Sequence, residues 1–119
     1  MTPRRMKTYS AESGFVYQYY FLESQLRRRM WGLAGTAYLF HVSCDRKNYF
    51  VSEVVVEEKA LRSWESAHGR ALVDAEKYAA AKMGLFRAFD ESSSAGDLRQ
   101  VRVTASNIET LLEPLRLDE

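Results

Sequence analysis

Residues 15–22, FVYQYYFL, are aromatic, β-branched or aliphatic at every position except Gln18. That composition predicts a strand. Alternation puts Phe15, Tyr17, Tyr19 and Phe21 on one face and Val16, Tyr20 and Leu22 on the other. Both faces are apolar, so this strand asks for cover on both sides.

The next stretch, SQLRRRMWG, changes character. As a helical turn, Ser24 caps it, Leu26 and Met30 share a face, and Gly32 ends it. The alternative is a strand that runs on into a hairpin at residues 32–35. A pairing of Trp31 with Thr36 then sets Arg29 opposite Tyr38 and Arg27 opposite Phe40, which places charge on the aromatic face unless a bulge intervenes. The short helix or loop needs no such repair and is the expectation for residues 24–31.

Residues 36–44, TAYLFHVSC, alternate well. Tyr38, Phe40, Val42 and Cys44 face one way, and Ala37, Leu39, His41 and Ser43 the other. The polar tetrapeptide at 45–48 reads as a hairpin loop before a further strand over residues 49–56. That strand is again two-faced, with Phe50, Val54 and Val56 opposed to Tyr49, Val51 and Val55.

The period then lengthens. Residues 57–68 read as a helix with acids at its start, Leu61, Trp64 and His68 on one stripe, and Gly69 as terminator. A longer helix begins near Asp74 and runs to about Phe89, weakened slightly by Gly84. After a polar connection, residues 98–104 offer an edge strand whose arginines discourage edge pairing. Ser106 and Glu109 form a capping-box signature for a last short helix, which Pro114 limits.

Residues 1–13 are polar and irregular and read as a flexible arm, with a single domain over residues 14–119. The predicted class is α+β: a mainly antiparallel four-stranded sheet packed by one long and two short helices, in the order β-β-β-α-α-β-α.

Composition narrows the function classes. The chain has 119 residues, enough for a core without disulfides or metal. No apolar run is long enough to span a membrane, and the basic start lacks the apolar core of a signal peptide. The one cysteine, Cys44, has no internal partner, so a reducing, cytoplasmic setting is expected. Net charge is +1. Residues 1–50 hold eight basic and three acidic side chains, and the rest of the chain holds nine and thirteen. Such polarisation suits an anionic partner or a second copy of the chain.

No catalytic constellation is visible. Cys44 and His41 sit three apart on a strand and point to opposite faces. Cys44 is expected as a small core residue and His41 as partly exposed. Two histidines and one cysteine do not make a metal site at these spacings, and no cofactor is expected. GLAG at 32–35 lacks the rest of a phosphate loop.

The two-faced strands favour a non-catalytic interaction module that self-associates through an aromatic sheet surface. The alternative is a single-stranded nucleic-acid binder using Tyr17, Tyr19, Tyr20 and Trp31 for stacking, with Arg27, Arg28, Arg29, Arg46 and Lys47 for phosphates. A third possibility is a ligand pocket between the sheet and the long helix.

Overall fold

The computed structural model describes residues 5–30 and 32–118. Four strands follow one another in antiparallel order: β1 (Lys7–Ser10), β2 (Val16–Arg29), β3 (Gly32–Ser43) and β4 (Phe50–Glu57). Two helices, α1 (Glu58–His68) and α2 (Asp74–Glu91), then lead to β5 (Gln100–Val103), which lies parallel to β4. The short α3 (Ile108–Leu112) follows. The sheet order is β1-β2-β3-β4-β5. The class is the α+β one read from the sequence, with five strands where four were expected.

The extra strand comes from inside the supposed arm. β1 pairs with the start of β2, Lys7 opposite Tyr19 and Ser10 opposite Val16. Tertiary contacts hold it there. The Tyr9 ring stacks on Phe86 with centroids 4.5 Å apart, and its hydroxyl donates to Asp90 Oδ2 at 2.8 Å. The other carboxylate oxygen of Asp90 accepts from the Glu12 amide at 2.9 Å. Burial, then the adjacent Asp90, pushes the Tyr9 phenol up to about 12.

Residues 24–29 are strand, not the expected helix or loop. A bulge makes this possible. Phe21 opposes Phe40, but Glu23 opposes Leu39, so Leu22 is an extra residue on β2. Beyond it, Glu23, Gln25 and Arg27 turn away from the face that carries Tyr19 and Phe21. A second bulge leaves Ala34 extra on β3, and Arg27 meets Gly35 rather than Phe40. The charges thus leave the aromatic face without breaking the ladder. Gly32 resumes the chain after the turn at φ 121°, a conformation that glycine adopts without strain.

All three helices pack on one face of the sheet. Trp64 and Ala60 of α1, Leu85 and Phe89 of α2, and Ile108 and Leu112 of α3 join one core with Tyr17, Tyr19, Phe40, Val42, Val54, Val56 and Val103. Tyr17 and Phe89 stack nearly parallel at 4.1 Å. Each such ring, fully buried, contributes about 1.5–3 kcal/mol.

Gly84 is more than a weak helix residue. A Cβ there would meet Val103 Cγ2 at 3.0 Å and Val54 Cγ1 at 3.7 Å. It marks the point where α2 crosses the sheet most closely.

The C-terminal segment is tied to the end of α1. The His68 ring stacks on Trp64 at 4.0 Å. Its Nε2 bonds Glu109 Oε1 at 2.8 Å, and its Nδ1 bonds Asp118. Glu109 is therefore turned away from the predicted capping box. Ser106 instead bonds the Thr104 hydroxyl, and Asn107 accepts from the Thr104 amide at 2.7 Å. Both His68 nitrogens face carboxylates, which requires the imidazolium form. Partial burial alone lowers its pKa, but Asp118 and Glu109 outweigh that, and the net shift is upward.

Two predictions follow from these contacts. Gly84→Leu should destabilise the protein by about 1–3 kcal/mol through overpacking, although leucine is the better helix former. Chemical denaturation measures this, and a stabilised variant contradicts the close approach. The second concerns pH. Stability from a raised histidine pKa is complete below the ordinary value near 6.5 and disappears as pH rises through the folded value. The native protein should therefore exceed His68→Ala in Tm by more near pH 6 than near pH 9. A pH-independent gap would contradict the charged bridge.

Candidate interaction surface

With the helices on one side, the other face of the sheet carries no helix among the described residues. The register defines its rows. Tyr20, His41 and Val51 lie side by side across β2, β3 and β4. The next row is Glu23, Leu39, Glu53 and Gln100, and the one after is Gln25, Ala37, Val55 and Arg102. Arg27, Gly35 and Glu57 form the last.

Toward the end of the sheet where β3 leads into β4, the face is apolar and aromatic. Val16 and Val51 are each 44% exposed. Tyr20, Leu39, His41, Tyr49 and Val55 are half-buried. The Tyr20 hydroxyl shares a hydrogen bond with His41 Nδ1, their rings edge-on at 5.2 Å. The Tyr49 ring lies 5.1 Å from His41, and its hydroxyl donates to Gln18 Oε1 at 3.1 Å. These polar ends are already satisfied, so the rings present mainly their apolar bodies.

Toward the other end of the face the charges are matched. Arg27 donates to Glu53 at 2.9 Å, and Arg102 to Glu57 at 3.2 Å. Gln25 links Arg27 to Glu23. An apolar, aromatic patch beside internally paired charges suits a protein contact.

The structure scatters the residues singled out from the sequence. Tyr17 and Tyr19 are each 4% exposed and belong to the core under α2. Burial raises both phenol pKa values. The cation brought to Tyr19 is Lys82, whose Nζ lies 5.6–5.9 Å from the rings of Tyr19, Tyr78 and Phe86. Burial, and then Lys7, lowers the Lys82 pKa. Tyr20 alone of the three tyrosines lies on the open face. Arg27 shares that face, Arg28 and Arg29 lie exposed at the end of β2, and Trp31 lies outside the described residues.

Arg46 and Lys47 belong to the loop after β3, whereas Arg29 pairs at the start of that strand. Twelve residues of strand separate them, roughly 35 Å. That loop is closed by its own hydrogen bonds. Asp45 accepts from the amides of Asn48 and Lys47, and these bonds hold its carboxyl well below the usual range. Arg46 adopts a left-handed φ of 64°. Cys44, expected in the core, is exposed here, since β3 ends at Ser43.

The third possibility, a ligand pocket between sheet and long helix, meets a space filled by stacked rings. A cleft of about 520 Å³ lies elsewhere, between α1 and the C-terminal segment, bordered by His68, Glu109 and Asp118. Among the described residues, no three His, Cys, Asp or Glu side chains converge as a metal site. None of the helices in the described residues is long and apolar enough to cross a membrane.

Sequence reasoning missed Tyr49 and Glu53 as members of the surface. The signal was present in the alternation of β4, which puts Val51, Glu53 and Val55 on one side. Comparison with protein-family models, with curated proteins and with solved structures finds no match for this chain.

Proposed function

We propose that this protein is a non-catalytic interaction module that pairs with a second copy of itself through the open face of its sheet. The observation that carries this is the helix-free face centred on Tyr20, Leu39, His41 and Val51. The contact shifts from the Tyr17 and Tyr19 side, which the core occupies, to the opposite side of the same strand.

A second copy fits the charge pattern. Arginines and glutamates on this face are paired within the chain, so two such faces meet without net repulsion. Strand spacing and row count give the face an area of roughly 500–600 Å², somewhat below the ~800 Å² per partner of a standard interface. The proposed setting is the cytoplasm, where the exposed Cys44 thiol stays reduced.

A nucleic-acid reading retains one favourable observation. Arg29 shares a shallow depression with Lys59, Arg62 and Glu58 of α1, three cations against one acid that lies 4.0 Å from Arg62. It is the weaker reading, because Tyr17 and Tyr19 are not available to stack on bases and Arg46 and Lys47 lie at the other end.

Sedimentation velocity tests the dimer. The native protein should sediment as a dimer at tens of micromolar, with little change on raising salt. Val51→Lys should weaken association by roughly tenfold or more without lowering Tm, since it buries one unpaired charge per copy in the contact. A native monomer at ~100 µM, a concentration corresponding to about 5.5 kcal/mol of binding, contradicts the proposal.

A further inference from the structure

β2 is much longer than the strand beside it. β1 covers its outer edge only from Val16 to Tyr19. From residue 23 to residue 29, no described strand pairs with that edge, although the inner edge is hydrogen-bonded to β3 throughout. In an antiparallel ladder, every second residue turns its N–H and C=O away from its partner. Among the described residues, this stretch therefore presents a row of outward donors and acceptors without a strand partner. Between the two bulges, residues 23–27 keep regular register with β3, which gives about 17 Å of straight edge.

The side chains along the edge select a partner. All are exposed except the half-buried Arg27. Three are arginines, against the single acid Glu23. Arg27 is paired with Glu53, while Arg28 and Arg29 are exposed at the end of the strand, where Arg29 lies beside Glu58, Lys59 and Arg62 of α1. Leu26, 56% exposed, supplies an apolar contact in the middle. A second copy of this edge would bring six arginines together, and exposed arginines on an edge oppose that pairing. An acidic strand meets no such barrier.

We propose that the outer edge of β2 between residues 23 and 29 is a strand-addition site for an extended, acidic polypeptide segment. The added strand takes up the outward backbone groups of β2 and sets carboxylates against Arg28 and Arg29, and its apolar side chains rest on Leu26. Backbone pairing supplies affinity and the arginines supply the choice of partner. This site is separate from the open sheet face, because it uses the plane of the sheet rather than its surface.

The probe is a fluorescein-labelled peptide, DVEVDVEVD, with KVKVKVKVK and a ten-nucleotide oligo-dT as comparators. The acidic peptide should bind with a dissociation constant of tens of micromolar, and Arg28→Glu/Arg29→Glu should weaken it by roughly tenfold or more. Hydrogen exchange on the native protein should show slowed amides within residues 23–29 when the peptide is bound, and this measurement needs no variant. The same binding by the Val51→Lys protein separates this site from self-association. No binding of the acidic peptide near 500 µM (about 4.5 kcal/mol) overturns the proposal. So does protection confined to other segments, equal binding of the lysine peptide, or displacement of the peptide by oligo-dT, which assigns the arginines to nucleic acid.

Discussion

A methyl group at Gly84 of α2 would stand 3.0 Å from Val103 Cγ2, and the rest of the fold is arranged around that approach. The helix crosses β4 and β5 at a residue without a side chain, so its larger side chains fall to either side. Phe86 and Phe89 reach across to Tyr9, Tyr17 and Tyr19. This aromatic cluster recruits β1, and Asp90 at the end of α2 fixes it with two hydrogen bonds. α1 and α3 complete the same layer through Trp64, Ile108 and Leu112. The chain thereby concentrates its helical cover on one face, and among the described residues no helix covers the apolar patch on the other.

That asymmetry gives meaning to a feature already visible in the sequence. Residues 15–22 and 49–56 are apolar on both alternating faces, which signals a sheet that needs two layers. Which face stays bare depends on where the helices settle, and periodicity says nothing of that. The hairpin at residues 45–48, the end of α1 at Gly69 and the start of α2 near Asp74 were all legible, because each combines a change of period with a turn or cap signal. Three features were not. The bulge at Leu22 is invisible in the residue pattern, yet it turns three charged or polar residues off the aromatic face and lets β2 run on. β1 depends on Asp90, 81 residues away. The capping box at Ser106 lost its Glu109 to His68, a competition that only the tertiary structure creates.

The charges divide along the same lines. On the open face, Arg27 and Arg102 are neutralised by Glu53 and Glu57, which suits contact with a like surface. At the end of β2, Arg28 and Arg29 are exposed, and Arg29 lies beside Lys59 and Arg62 of α1, which suits an anionic partner. The polarity of the chain, basic in residues 1–50 and acidic after them, is thus expressed as a basic hairpin end and not as a continuous basic surface.

Oxidative footprinting by hydroxyl radicals across a concentration series tests the central claim most directly. Tyr20 and Tyr49 report the open face, and Met30, 85% exposed, reports a site outside it. The account predicts that Tyr20 and Tyr49 become protected as concentration rises from about 1 to about 100 µM, a range that spans the association expected at tens of micromolar, while Met30 reacts equally throughout. Unchanged reactivity of both tyrosines over that range would contradict it.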